Sequence, residues 1–380
     1  MANICFISFS RVGHSGGPGQ ESKAIVESIC EGNSVSLGCI SVETKLSPEI
    51  SPYPVPFGRV LTRFIDSIQR LLPRSSRLIN EKILDLYISW KLDFEKIDVV
   101  VSSSFSPRVF KIARSKGIKT VFYSKNALNF YEISCKESEQ WSIPMKFGEI
   151  DYLKDYNSII DYTDHIISLN VDDRTWLEKN GRNNVGYNPI NIGVDVTRFK
   201  NIDTQNSSEE PIFLYMGASP LRKGLNYILS YWTRNKVSHQ LVVCGLGESD
   251  LQLYSNKYDS QNITYKGFVD PVSELENANV YLSPSLAEGQ PRATFEAMAA
   301  GMTVIATGIG CGYHIESKVS GYILNDLTDY EFDLALSYVE SRDTRERIGV
   351  TARNLALSKF TSENFGSQFK RILIDISNDK

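Results

Sequence analysis

Two carboxylates eight positions apart, Glu288 and Glu296, bracket a Gly, a Pro, an Arg and a Thr in the run SLAEGQPRATFEAMAAG (285–301). NVYLSPS (279–285) before them reads as a strand, LAEGQ as a loop and PRATFEAMAAG as a helix. Pro291 suits a first helical turn, where its missing N–H is not needed, and Gly301 suits the position just past the helix end. Glu288 then stands in the loop at the carboxyl end of a strand, and Glu296 about one and a half turns into the helix. The N–H groups of a helix start form an anion site. Carboxylate, amides and second carboxylate are a set that could hold a nucleotide sugar: one acid accepts from sugar hydroxyls, the amides meet the diphosphate, and the other acid grips the ribose diol. The same pair also fits a blander pattern, an acid favoured by the helix dipole followed by an exposed helical Glu.

The surrounding elements would have to position that loop. ICFISF (4–9), IDVVVSS (97–103), KTVFYS (119–124) and DHIISLN (164–170) read as strands separated by helical patterns, such as PRVFKIARSKG (107–117) closed by Gly117. The alternation restarts with PIFLYMG (211–217), HQLVVCGLG (239–247), NITYKGF (262–268), NVYLSPS and MTVIATG (302–308). Strand and helix in alternation imply parallel sheets with helices on both faces. The 380 residues are too many for one comfortable core. The polar, turn-rich end of 188–211 reads as the linker between two Rossmann-like domains. The expected boundaries are 1–195, 196–357 and a C-terminal helix over 358–380. In open α/β sheets ligands bind at the carboxyl ends of the strands, so two such sheets would place the site in a cleft between them.

Bulk properties exclude several classes. A net charge of −4 and a pI near 5.8 argue against a general nucleic-acid binder. The six cysteines are scattered without CxxC or metal-ligand spacing, as buried free thiols of a reducing cytosol would be. The N-terminal apolar run is too short for a signal peptide, and no stretch reaches the roughly 18 apolar residues of a spanning helix. A cytoplasmic protein is expected, with membrane contact a separate question.

EGQPRATFEAMAAGMTVIAT resembles the E-x7-E signature of retaining GT-B glycosyltransferases of family 4, the glycosyl transferases group 1. MGASPLRKGLNYIL (216–229), LVVCGLGE (241–248) and YKGFVDPVSELENANVYLSPSLAEG (265–289) are similar to further segments of that family in the same order, and DHIISLNVDDRTWLEKNG…NPINIGVDVTRF (164–199) to the end of its first domain and its hinge. The resemblance implies a GT-B fold, two Rossmann-like doubly wound parallel-sheet domains facing across a cleft, and a C-terminal helix that packs back on the first domain. It implies that Lys223 neutralises the donor diphosphate, that Glu288 binds the hydroxyls of the transferred sugar and Glu296 the ribose. The backbone at Gln290, Pro291 and Arg292 would meet sugar and phosphates, and Val269 would edge the base. Gly16 and Gly17, in SGGPGQES (15–22) after the first strand, would let the backbone approach the diphosphate; alone, that run could equally be a surface turn. Gly245 opens a second glycine loop that could also be a plain strand-to-helix turn.

The chain departs from the family in two places. Where relatives often carry an Arg directly after the strand Gly there is Ala218, and Arg222, ahead of Arg292, is expected to supply the missing charge. Where many relatives carry a His, Lys125 or Asn126 stands in VFYSKNALNFYE. No histidine is assigned as a general base: His165 reads as structural, His239 precedes a strand, His14 lies in the glycine loop and His314 follows GCGY. In retaining enzymes of this type the donor phosphate oxygen takes the acceptor proton on the same face, so positioning and stabilisation of the leaving diphosphate carry the reaction. No metal and no cofactor is expected; VDD (171–173) reads as helix capping.

On the acceptor side, FGRVLTRFIDSIQRLLPRSSRLINEKI (57–83) places Phe57, Val60, Leu61, Phe64, Ile65, Ile68, Leu71 and Leu72 at helical spacing among five arginines. Such a helix either lies in a membrane interface or packs its stripe on the first sheet with the arginines solvated. The resulting expectation is a retaining hexosyltransferase of bacterial surface polysaccharide or lipopolysaccharide synthesis. It would use a UDP-sugar, with GDP next, and a glycan or lipid-linked acceptor, peripheral on the inner face of the membrane through 57–83. The rivals are an inactive GT-B nucleotide-sugar binding subunit and a GT-B epimerase or hydrolase.

Overall fold

The computed structural model describes residues 2–14, 17–68, 75–145, 157–202 and 209–378. The chain divides into two compact units, one of 1–131, 144–193 and 362–380, the other of 132–143 and 194–361.

The first unit holds a sheet of seven parallel strands: β1 (Asn3–Val12), β2 (Ser34–Val42), β3 (Ile50–Pro54), β4 (Val99–Ser102), β5 (Lys119–Ser124), β6 (His165–Ser168) and β7 (Gly186–Pro189), in the order β3-β2-β1-β4-β5-β6-β7. Val99–Val101 and Val121–Phe122 are fully buried, as strands covered on both faces must be. The edge strands β3 and β7 carry Pro52, Pro54 and Pro189, residues that cannot donate to a ladder on both sides.

Three central strands end in a serine. The hydroxyls of Ser102 and Ser124 donate to the carbonyls of Ser104 and Asn126, at 2.9 and 2.8 Å, and that of Ser168 to the Asp173 carboxylate at 2.6 Å. Ser102 and Ser168 also accept from the N–H two residues on. Each serine thus satisfies backbone groups at the point where the ladder stops.

The second unit repeats the plan with β8 (Phe213–Met216), β9 (Leu241–Cys244), β10 (Ile263–Tyr265), β11 (Val280–Ser283), β12 (Thr303–Thr307) and β13 (Tyr322–Leu324), all parallel, in the order β10-β9-β8-β11-β12-β13. Trp232, Phe213 and Tyr231 fill its core beside Phe332. In both sheets the connection reverses after the third strand, so the strand pairs β1/β4 and β8/β11 are topological switch points where loops part and leave a crevice.

The helix Phe130–Trp141 belongs to the second unit from Glu132 onward: Trp141 sits edge-on to Tyr227 at 5.1 Å and Gln140 donates to the Tyr227 hydroxyl at 3.0 Å. The last helix, Ser362–Asn378, packs on the helix Gly17–Cys30 in the first unit. Its Phe369 is fully buried, edge-on to Tyr123 at 5.1 Å and to Phe6 at 6.3 Å.

The segment 57–83 is not one helix. Described residues form Gly58–Ser67 and Ser76–Lys91, while Gln69–Arg74, with Leu71, Leu72, Arg70 and Arg74, lie outside the described residues. The described part of its apolar stripe is split between the two placements. Ile65 is buried, but Phe57, Val60 and Phe64 are 85%, 67% and 60% exposed. Gly58 explains the seating: a Cβ there would lie 2.6 Å from the Ile40 carbonyl oxygen, so the helix start is pressed on β2 and its other face turns outward. The VDD run is also corrected. The Asp172 side chain makes no cap bond, and the buried Asp173 carboxylate accepts from Leu128 N–H at 2.8 Å and the Ser168 hydroxyl at 2.6 Å, joining two loops.

Truncating Phe369 to Ala should cost about 3–5 kcal/mol, as for a large aromatic removed from a core. The check is the urea midpoint of the variant against the wild type; an unmoved midpoint would mean the last helix adds no stability to the first unit.

Candidate active site

The second sheet's switch point brings together the loop after β8 (217–224) and the loop after β11 (284–291). The two are fitted to each other by backbone. Leu286 N–H donates to the Arg222 carbonyl at 2.7 Å. Gly224 has φ +70, and a Cβ there would stand 2.1 Å from the Pro284 carbonyl oxygen, so only glycine allows this approach. Gly217 ends β8 without a side chain, leaving the space that the Lys223 stem occupies: a Cβ would lie 2.4 Å from Lys223 Cδ. Behind, Thr294 donates to the Gly310 carbonyl at 2.9 Å and Thr307 to the Ser285 carbonyl at 2.6 Å, locking the β11 and β12 loops together.

This frame puts three charges in one buried cluster. Glu288 receives Lys223 Nζ on Oε1 at 2.5 Å and Arg222 Nη1 on Oε2 at 2.8 Å; Arg222 Nη1 also donates to the Ala287 carbonyl at 2.9 Å. The Ser285 hydroxyl adds a contact to Glu288 at 3.3 Å. Burial pushes the Glu288 carboxyl up, but the guanidinium and ammonium outweigh it and hold the group at about 2. For Lys223 the balance is opposite: burial, with help from Arg222, lowers it despite the Glu288 carboxylate. The cluster therefore gathers two basic side chains on one carboxylate in a site largely closed to water.

The helix after this loop spans Arg292–Ala299. Pro291 is its N-cap, with φ −79 and ψ 90, one position ahead of the first turn expected for it, and Gly301 has φ +81 just past the end, as expected. Glu296 sits half-buried in mid-helix. Burial pushes its carboxyl up to about 7, against the pull of Arg292 and Arg198 and with a small push from Asp195. Gly245, φ +86, donates its N–H to the Gly267 carbonyl at 2.9 Å, and a Cβ would stand 3.0 Å from Gly217 N, so the second glycine loop is packed on the same strand end. Val269 is partly exposed beyond β10, beside Phe268, which is 76% exposed and is not among the expected site residues.

Lys223, Arg222, Glu288, Gln290, Pro291, Arg292, Gly245 and Val269 thus lie in the second unit on loops or helix starts at strand carboxyl ends, with Glu296 in the middle of the Arg292–Ala299 helix that follows. The sequence reading missed the direct pairing of both cations with Glu288. Its signal was present: two basic residues at the end of one switch-point loop face an acid in the other. Among the described residues no three His, Cys, Asp or Glu side chains gather as a metal cluster.

In the first unit, Gly16 lies outside the described residues, and Gly17 opens the helix Gly17–Cys30. At the carboxyl end of β5, Lys125 is bound to the buried Glu21 carboxylate at 3.1 Å, which also accepts from the Tyr123 hydroxyl at 3.0 Å. A cavity of about 280 Å³ opens beyond β1, lined by Phe9, Arg11, His14 and Gly19 on one side and by Thr62 and Asp66 of the Gly58–Ser67 helix on the other. Arg11 holds Glu43 with two bonds of 2.6 and 3.1 Å, and Arg59 pairs with the same carboxylate.

Two doubly wound parallel sheets, with a cluster of Lys223, Arg222 and Glu288 at the switch point of the second, define a two-domain α/β protein. Residues 210–336 match the family of glycosyl transferases group 1. No curated protein matches the sequence. Among solved structures, a sucrose-phosphate synthase from Thermosynechococcus elongatus is similar at TM-score 0.71 and 16% identity over 99% of both chains. Alr3699/HepE of Anabaena, in complex with UDP and glucose, is similar at TM-score 0.66 and 14% identity over 99% of this chain and 100% of that one. WaaG, a glycosyltransferase involved in lipopolysaccharide biosynthesis, is similar at TM-score 0.66 and 14% identity over 100% of both chains. The fold is GT-B, and family match and fold together support a GT-B glycosyltransferase.

Replacing Glu288 by Gln leaves Lys223 and Arg222 buried without their counter-charge. The variant should lose about 3–5 kcal/mol, the usual cost of breaking a buried pair on one side. In the wild type the Glu288 contribution is fully present above the ordinary carboxyl range and is lost only as pH falls from there toward about 2. Thermal melts of both proteins across that range test this. Equal stability at neutral pH would show that the ion cluster adds nothing to the fold.

Proposed function

We propose that this chain is a retaining glycosyltransferase of the family 4 type. It takes a sugar from a nucleoside-diphosphate sugar, UDP-linked before GDP-linked, to a glycan or lipid-linked glycan in the synthesis of a bacterial surface polysaccharide or lipopolysaccharide. The observation that carries the reading is the Lys223–Glu288–Arg222 cluster at the β8/β11 switch point, followed at once by a helix start and Glu296.

A diphosphate brings the negative charge that two cations sharing one carboxylate lack. Lys223 and Arg222 meet its oxygens and stabilise the charge that grows there as the sugar leaves, in a site already organised and largely dry. The first-turn amides after Pro291 add donors. Glu288, engaged by both cations, lies where it can also accept from the hydroxyls of the transferred sugar, and Glu296 accepts from the ribose diol. With a phosphate oxygen taking the acceptor proton on the departing face, configuration is retained and no histidine base or metal cofactor is assigned a step. Arg222 supplies the charge missing at Ala218, which removes the main support for an inactive binding subunit.

On the acceptor side, the Gly58–Ser67 helix has two faces. Thr62 and Asp66 line the first unit's cavity, while Phe57, Val60 and Phe64 project beside the exposed Arg59 and Arg63. Among the described residues no helix is long and apolar enough to cross a membrane. This exposed face suits shallow insertion among anionic lipids instead, as a cytoplasmic enzyme on the inner membrane face and a lipid-linked acceptor would require.

The test of the donor reading is calorimetry with UDP- and GDP-sugars, whose phosphate esters stay ionised over the range, followed by NMR of the anomeric proton in the transfer product. Glu296 is neutral below about 7 and charged above it. If the ionised form is what binds ribose, affinity should weaken roughly tenfold from about pH 8 to about pH 6, and Glu296→Gln should abolish that dependence. A flat wild-type profile removes Glu296 from the ribose, and an inverted product removes retention. Separately, the wild type should co-float with anionic vesicles at low salt, and the triple change of Phe57, Val60 and Phe64 to Ser should abolish flotation; a wild type that stays in solution removes the membrane contact.

A further inference from the structure

The loop after β12 brings a histidine against the donor loop. His314 lies against the rings of Phe295 and Phe360, at centroid distances of 5.9 and 4.9 Å, and those two rings stack on each other at 4.1 Å. Its two nitrogens have different neighbours. Lys359 Nζ is 3.3 Å from Nδ1, and the Gln290 side-chain amide nitrogen is 3.5 Å from Nε2.

An ammonium can only donate. Nδ1 is therefore the accepting nitrogen, and a neutral ring carries its proton on Nε2. Burial and the adjacent ammonium hold His314 down at about 4, which keeps the ring neutral. Nε2–H then faces Gln290, whose carboxamide answers it by presenting its oxygen, since the network sets which end of an amide points where. Gly312 lies beside this contact with φ +58, a left-handed conformation that favours glycine in the turn carrying His314.

Lys359 and Phe360 are also among the last residues of the second unit before the chain leaves it after Thr361. Val194, the first residue after an earlier crossing, donates to the Phe360 carbonyl at 2.9 Å and bridges to Thr361. Two chain crossings are thus fastened to the segment whose side chains reach His314.

We propose that His314 is a positioning residue for the donor loop. Fixed as the Nε2–H tautomer by Lys359, it holds the Gln290 side chain and with it the backbone of 288–291 that presents Glu288 and opens the Arg292–Ala299 helix. The role rests on the donor reading of that loop. A residue that merely fills space between two phenylalanines would serve equally well as Phe, and a positioning residue would not.

The test combines two readouts. Long-range proton–nitrogen NMR, with the His314 signals assigned by their loss in His314→Phe, should show neutral Nε2–H in the wild type at neutral pH and a shift toward the other tautomer in Lys359→Met. Calorimetry with UDP, or GDP if only that binds, should show affinity weakened roughly fivefold in His314→Phe and in Lys359→Met, about one hydrogen bond's contribution, with the melting temperature unchanged. A wild-type ring protonated on Nδ1, or unweakened binding in His314→Phe, overturns the proposal. A wild type that binds no nucleoside diphosphate overturns the donor reading itself, and the NMR arm still decides whether Lys359 sets the tautomer.

Discussion

Glu288 shared between Arg222 and Lys223 is the interaction on which the candidate site depends. Three charged groups withdrawn from water are costly, and their mutual attraction offsets that cost only with close geometry and added hydrogen bonds. Here the geometry is close, at 2.5 and 2.8 Å, and Ser285 and the Ala287 carbonyl supply the additional contacts. A stability argument alone does not explain such a cluster, because apolar residues could fill the space at lower cost. What apolar residues could not do is hold two cations in place, before any ligand arrives, at the point where a sheet of this topology opens.

That constraint explains the glycines around it. The two loops must approach until Leu286 bonds the Arg222 carbonyl, and at Gly224 the approach leaves no room for a methyl group. Gly310 meets the Ser283 carbonyl oxygen in the same way, with 1.8 Å to where a Cβ would be. Seen from the sequence these are scattered small residues. Seen from the charge cluster they are the positions where backbone must substitute for side chain, so that loops from three adjacent strands of the sheet, β8, β11 and β12, close together.

How much of this was legible follows from which signals are local. The buried strands β1, β4, β5, β8, β11 and β12 announce themselves by apolar runs, and the E-x7-E run announces the donor loop. The strands β2, β3, β7 and β13 were passed over: SVSLGCISV is interrupted by Gly38, whose missing side chain admits Ile88, and the other three are short edge strands. The run 57–83 misled for a related reason. Its period says helix but not which side is covered, and the close contact at Gly58 decides that. The cluster at Glu288 was legible as residue types but not as a pairing, since partners 65 residues apart meet only through the crossover from β8 to β11. His314 was the hardest: a lone histidine after GCGY becomes informative only when both its nitrogens have named neighbours.

The two sheets use one topology and furnish it differently. In the second unit the strand ends deliver charge: Lys223, Arg222 and Glu288 at the switch point and Glu296 on the helix beyond. In the first unit hydroxyls gather beside the switch point, Ser8 of β1 with Ser22 of the Gly17–Cys30 helix and Ser103 after β4, at 2.9 and 3.2 Å, while Lys125 is bound to Glu21 and Arg11 to Glu43. Charge costs most to bury and gains most from a ligand of opposite sign, while hydroxyls satisfy one another at little cost and exchange readily for those of a ligand. The two units thus present different chemistry: a buried trio of charges at the second unit's switch point, and in the first unit a hydroxyl cluster beside cations already held by the Glu21 and Glu43 carboxylates.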